Sequence, residues 1–310
     1  MRMLNSIAFL IGTTLLYSAP LIYTALGGVI SENAGVVNIG LEGMMVLGAF
    51  TAATVGYFTG NPWFAFLMAG AAGASIALFH AIACVTYTAD HVISGIAINF
   101  LGPGIALFVS TIVFEGATMT IPLSLDDKIP RPLNEVFAQN SFFDIILNQY
   151  ATVYLAFILV AAVWFLLYKT RFGLRIRSVG EHPRAADTLG INVIGIKYIA
   201  VLLSGMFAGF GGAAMSIAVV SNFRPTLISG QGFIALAAMI FGKWRPFGAM
   251  WACLLFGFAQ GLVVFLGGKD TIAVSSQVWA MLPYIITLVI LIGVVGKSEA
   301  PSADGVPFEK

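Results

Sequence analysis

The sequence predicts an all-α, polytopic membrane protein with about 8–10 transmembrane helices, some of them broken or re-entrant and short, and a further short helix in a cytoplasmic loop. Three observations predict it. Hydrophobic residues make up 59% of the 310-residue chain and charged residues 9%, which leaves too little polar surface to cover a water-exposed exterior. Apolar stretches longer than the roughly 20 residues that cross a hydrocarbon core recur along the chain. Alternation of apolar and polar residues, the mark of a membrane barrel, is absent, so the crossings are helical.

In chain order, the first stretch is 7–30. It contains Pro20 and lacks a small-residue cleavage site after a short core, so it is expected to be a retained helix rather than a signal peptide. Residues 43–89 are long enough for two crossings, broken at Thr59-Gly60-Asn61-Pro62. Crossings then follow at 92–114, 145–168, 198–223 and 272–296, with shorter or glycine-interrupted candidates at 225–242 and 247–268. The whole of 1–296 reads as one transmembrane domain, followed by a polar C-terminal tail, 297–310. Cys84 and Cys253 both fall inside apolar spans, which fits packing better than a disulfide or a metal site.

Charge orients the chain. The loop 169–197 carries Lys169, Arg171, Arg175, Arg177, Arg184 and Lys197 against Glu181 and Asp187, and is therefore assigned to the cytoplasm. The loop 115–148 carries Glu115, Asp126, Asp127, Glu135 and Asp144 against Lys128 and Arg131, and faces outward one crossing away. Lys243 and Arg245 fall inside if 225–242 crosses, and the tail falls inside with Lys297. The N terminus is placed outside. A net charge of +1 gives no basis for a nucleic-acid partner.

Small residues recur every fourth position in Ala69, Gly73 and Ala77 and again in Gly205, Gly209 and Ala213, a spacing that lets membrane helices approach closely. A fainter pattern sets GLEGMMVLGAF (40–50) beside SGQGFIALAAMIFG (229–242): a polar residue, a glycine and a short apolar run. Paired glycine-interrupted short helices are one way transporters build a central site.

Within the basic loop, Pro183 fits the first position of a helix and Gly190 the position just past its end. The intervening two turns place Ala185, Ala186 and Leu189 on one face and leave Arg184 and Asp187 solvated. So short a helix is marginal alone and is expected to dock. A groove on a partner protein, lipid headgroups and a plain solvated loop are the three readings; two alanines among three apolar residues favour the protein.

GEHPRAADTLGINV (180–193) resembles the cytoplasmic coupling segment of permease subunits from ATP-binding-cassette (ABC) importers, in the group of branched-chain amino acid, simple-sugar and nucleoside permeases. SENAGVVNIGLEGMMVLGAF (31–50), ADHVISGIAIN (89–99) and ISGQGFIALAAMIFGKWRPFGA (228–249) resemble the nucleoside branch most. The resemblance runs in order over nearly the whole chain and is weakest over 115–149. It implies a multi-pass protein of the cell membrane, with no catalytic site and no cofactor of its own. Its partners would be a cytoplasmic ABC ATPase that uses ATP and Mg, a second, related permease subunit, and an extracytoplasmic substrate-binding lipoprotein that delivers a nucleoside. It also implies that Glu181, His182, Pro183, Arg184, Ala185, Ala186, Asp187, Leu189 and Gly190 form the ATPase contact, within 180–191. The chain's one hint of a phosphate loop, GKS at 296–298, has Leu291 in place of the first glycine and ends a membrane span, so it is discounted.

Candidate pathway residues are Asn38, Glu42, Asn99, Phe100, Gln231 and Phe233, since amides read a nucleobase edge and aromatic rings stack on its face. On a helix, Asn38 and Glu42 would point the same way. Glu42 has a second reading, as a brace for a broken helix beginning at Gly43. Asp90 and His91 are expected at a span boundary, and His80 as a satisfied packing residue. The alternatives are a sugar or amino acid permease of the same group, or a proton-coupled carrier using Glu42 and Asp90. A membrane-embedded enzyme is disfavoured by the lack of HExxH or a nucleophile-histidine grouping among three scattered histidines.

Overall fold

The computed structural model describes residues 2–134, 136–139, 141–267, 281, 285 and 299–309. Among them every regular element is helical: α1 (Arg2–Asn33), α2 (Leu41–Thr59), α3 (Pro62–Ala81), α4 (His91–Val113), α5 (Phe142–Leu147), α6 (Ala151–Lys169), α7 (Arg171–Glu181), α8 (Pro183–Thr188), α9 (Val193–Ala213), α10 (Gln231–Phe241) and α11 (Pro246–Gly267). Helices α3 and α9 run on into π-helical turns, Ile82–Thr86 and Ala214–Val220. Seven helices among the described residues are long and apolar enough to cross a membrane, namely α1, α2, α3, α4, α6, α9 and α11. The expected span 272–296, and with it GKS at 296–298, lies outside the described residues.

The break expected after Thr59 has a local cause. Gly60 closes α2 in the left-handed region, Pro62 occupies the first position of α3, and Asn61 Oδ1 accepts the amides of Trp63 and Phe64 at 3.1 Å each. Two spans depart from expectation. The stretch 145–168 is split, because α5 ends at Leu147 and the chain is held at Ala151, whose amide bonds Pro130 O at 2.9 Å, before α6 starts. The stretch 225–242 yields only the 11 residues of α10, which at 1.5 Å per residue reach about 16 Å, roughly half of a hydrocarbon core.

Helix α6 separates the acidic loop from the basic one, so the two lie on opposite faces of the molecule. The start of α1 belongs to the acidic face, where Phe9 meets Phe265 at 6.3 Å between ring centroids. Its end belongs to the basic face, where a Cβ on Gly180 would fall 2.2 Å from Asn33 O. The C-terminal residues 299–309 lie on the basic face too, with Ala303 N bonded to Gly180 O at 2.9 Å. The described chain thus leaves α11 on one face and resumes on the other.

The two small-residue stripes pack against each other. A Cβ on Gly73 would lie 2.1 Å from Gly205 O, and one on Gly209 2.2 Å from Ala69 O, so α3 and α9 touch backbone to backbone. Helix α2 closes on the same seam, where a Cβ on Gly212 would lie 2.0 Å from Met45 O. The fully buried residues of α1, among them Leu21, Tyr23, Leu26 and Ile30, complete the core, and Tyr23 donates its hydroxyl to Thr152 O at 2.7 Å.

Candidate functional site

Two stretches of non-helical backbone enter the molecule from opposite faces. Residues 34–40 turn in from the basic face, with Ala34, Val36 and Asn38 fully buried, and open α2. Residues 221–230 turn in from the acidic face, where Phe223 exchanges bonds with Thr120 (2.9 and 3.1 Å), and open α10. Irregular backbone is tolerated at this depth only where protein or a wet cavity satisfies it.

The starts of these two helices meet at Glu42. Its Oε1 accepts Gly230 N at 2.7 Å and its Oε2 accepts Gly232 N at 2.6 Å. A carboxylate placed on the free amides at a helix N terminus is stabilised by those donors and by the helix dipole. The approach demands glycine, since a Cβ on Gly232 would stand 2.5 Å from Glu42 Cα. Glu42 is therefore a brace, although for α10 rather than for a helix beginning at Gly43; α2 itself begins at Leu41.

Asn99 holds the other side of the junction. Its Oδ1 accepts Gly43 N at 2.8 Å and its Nδ2 donates to Ile39 O at 2.9 Å. The expectation that Asn38 and Glu42 share a helical face is corrected: Asn38 precedes α2 in non-helical backbone, fully buried, and donates to Ser204 Oγ at 2.9 Å while its Oδ1 has no partner. Gln231 and Phe233 begin α10 beside Glu42, Gln231 half-buried and Phe233 49% exposed. Phe100 is 78% exposed and points out of the chain on the α4 stripe that includes Ile93 and Ile96. Asn99, Glu42, Gln231 and Phe233 are thus brought to one junction, and Phe100 is not among them. His80 joins Ser94 Oγ (2.9 Å) to Val37 O (3.0 Å), His91 accepts Val37 N (3.2 Å), and Asp90 caps α4.

The basic loop contains two helices. Thr170 Oγ1 accepts Gly173 N at 3.0 Å to start α7, whose Gly173, Ile176, Val179 and Gly180 are buried while Arg171 and Arg175 stay exposed. Helix α8 has Pro183 at its first position, and Gly190 follows its end with φ +79°. The face it leaves outward differs from the one expected to dock. Ala186 is 3% exposed and packs inward with the main core, so it is closed to a partner, whereas Ala185 and Leu189 are exposed, Leu189 by 82%. Glu181, His182 and Arg184 are exposed around them. The physical reason is that so short a helix has to spend one side of its surface on its own chain to be held at all.

Residues 10–295 match the family described as the branched-chain amino acid transport system / permease component. The chain belongs to this family. It is 45% identical to the guanosine ABC transporter permease protein NupQ of Bacillus subtilis, over 100% of this chain and 99% of that one. It is 41% identical to the nucleoside ABC transporter permease protein NupC of Lactococcus lactis, again over 100% and 99%. The guanosine ABC transporter permease protein NupP of Bacillus subtilis is 26% identical over 82% of this chain and 73% of its own length. No solved structure matches. The chain is accordingly a multi-pass membrane permease of the ABC group, and relatives such as NupP place it in a multi-subunit system.

Several residues of the permease that position the junction had no sequence signal of their own. Ser204 is one polar side chain inside an apolar span, and Gly230 and Gly232, although part of the glycine-interrupted pattern, act through amides whose acceptor residue type cannot reveal. Trp244 donates its indole N–H to Glu32, and Asn33 donates to Trp244 O at 3.0 Å, tying the end of α10 to the end of α1. Only the capping pattern of Thr170 and the spacing of Gly173, Ile176 and Gly180 could have located α7 in advance. Among the described residues no three His, Cys, Asp or Glu side chains converge on a common point that would suit a metal.

Proposed function

We propose that the chain is a nucleoside-translocating subunit of an ABC importer in the cell membrane, moved by a separate ATPase that docks on α8. The observation that carries this reading is the full-length similarity to two permeases whose names specify guanosine and nucleosides. Supporting it, α8 presents Ala185 and Leu189 outward at one helical turn's spacing from an otherwise basic loop. The ATPase binds ATP and Mg; this chain contributes no cofactor site. A second, related permease completes the pathway, as the pair NupQ and NupP in one organism suggests, and an extracytoplasmic lipoprotein delivers the solute. Asn99 and Glu42 hold the junction, while Gln231 and Phe233 stand on its rim and contact the solute. Sugar or branched-chain amino acid transport is the less favoured reading.

The test is uptake of radiolabelled guanosine by cells lacking their own nucleoside transporters. Uptake is expected only when the chain is expressed with its ATPase, second permease and binding protein, and unlabelled nucleosides but not glucose or leucine should compete. Undiminished uptake without the ATPase, abolished by a protonophore, would replace this reading with a proton-coupled carrier.

A further inference from the structure

The C-terminal residues fold back over the basic face and touch both the basic loop and the backbone that opens α2. Ser302 donates from N and Oγ to Glu181 Oε2 at 3.3 and 2.8 Å, and Ala303 N bonds Gly180 O at 2.9 Å. Ala303, 6% exposed, is pressed against the turn at Gly35, where an added Cβ would lie 2.9 Å from Ala303 O and 3.4 Å from Gly180 Cα. Three backbones therefore converge at one point, and Gly35 has φ +77° there, a conformation that glycine adopts without strain.

Two further contacts lock the arrangement. Buried Lys197 of α9 donates to Gly35 O at 3.5 Å and to Val306 O at 3.4 Å, bridging the re-entrant segment to the tail. The side chain of Asp304 meets the carboxyl group of Glu32, at the end of α1, at hydrogen-bond range. Beyond Asp304, Val306, Pro307 and Phe308 share a cleft with His182, Pro183 and Arg184 of the coupling segment.

We propose that residues 301–309 are a strap that clamps the coupling segment to the re-entrant segment 34–40, so that displacement of α8 is delivered to the mouth of α2. The route is continuous: from Glu181 and Gly180 through Ser302 and Ala303 to Gly35, then to Asn38 on Ser204, to Ile39 on Asn99, and so to the α2–α10 junction braced by Glu42. Packed and hydrogen-bonded chains of this kind carry coupling between distant sites. The transport role of the strap rests on the reading of α8 as the ATPase contact; its mechanical role does not.

The experiment compares the full permease complex with one truncated after Ala300 and with Ala303→Pro, which keeps the length but removes the amide that bonds Gly180. Both variants should retain the ATPase and hydrolyse ATP, while solute moved per ATP falls by about tenfold, within the range usual for coupled sites. Hydrogen exchange at the amides of residues 36–39 should quicken in the purified permease without any ATPase present. An unchanged solute-to-ATP ratio would refute the strap's part in transport, and loss of the ATPase from the complex would make the tail a docking surface instead. Unchanged exchange in both variants would overturn the strap altogether. A Leu189→Asp permease that transports normally would remove the coupling reading alone, leaving the exchange result to judge the strap.

Discussion

Glu42, a candidate for the solute pathway, has both carboxylate oxygens engaged by backbone amides at the start of α10. A carboxylate beside an apolar span is expensive unless it faces a partner or water, and its partners here are backbone amides of a helix far away in sequence. Glu42→Ala should leave two amides without an acceptor and destabilise the fold by about 2–4 kcal/mol, as charged hydrogen bonds and unsatisfied buried donors predict. Thermal unfolding in detergent measures it; a variant as stable as the parent but deficient in uptake would return Glu42 to the solute pathway. Gly232→Ala should be as damaging for a steric reason, since its Cβ would have to stand 2.5 Å from Glu42 Cα. Gln231→Leu, on the rim, should instead lower uptake with little change in stability. Wild-type uptake of every nucleoside tested by that variant would remove Gln231 from the contact set.

At the scale of elements, α8 was legible because proline and glycine punctuate it, but which of its faces is left exposed was not. Helical spacing groups Ala185, Ala186 and Leu189, and only packing shows that Ala186 turns toward the protein's own core. The consequence is a pair of opposite phenotypes. Leu189→Asp should leave a folded permease that fails to co-purify with its ATPase, because an unpaired charge in a docked interface costs several kcal/mol. Ala186→Glu should destabilise the basic loop itself, by about 3–5 kcal/mol if the charge stays buried, and be seen as proteolysis of that loop. The strap adds a pH dependence. Asp304 is raised to about 7, first by burial, with Glu32 of α1, Lys197 of α9 and the Gly305 amide around it. The docked tail binds a proton at Asp304 more tightly than a released tail does, so docking is most favourable at and below about pH 4 and weakens as pH rises through about 7. Exchange at residues 36–39 should follow that curve, and Asp304→Asn should flatten it; a curve identical in the two proteins would exclude the pair as its source.

Across the whole molecule, most of the apolar spans and the starts of the two glycine-marked helices were readable because lipid imposes length and glycine marks interruption, although α2, expected to be short, runs 19 residues. The interleaving of Ala69, Gly73 and Ala77 with Gly205, Gly209 and Ala213 was half visible: each stripe showed in the sequence, but not that each is the other's partner. The tail's docking could not be read, since its contacts run through the backbone of Ala303 and Gly180, and hydrogen bonds between main chains leave no trace in residue type. Nor could Asn38 be placed correctly, because the chain turns where an unbroken helix would have served as well by composition. Opposite placement of the two loops predicts that, with buried Cys84 and Cys253 replaced, a cysteine at Leu125 reacts with an impermeant thiol reagent added outside cells and one at Thr188 does not. Reaction at Thr188 alone would invert the topology. The most direct test of the permease as an ATPase-driven nucleoside pathway is guanosine transport in proteoliposomes holding the full complex, with ATP supplied on the side of α8 and the proton gradient varied independently. Transport should require ATP, ignore the gradient and vanish in Leu189→Asp; transport that follows the gradient, and persists in Leu189→Asp without ATP, would contradict the account.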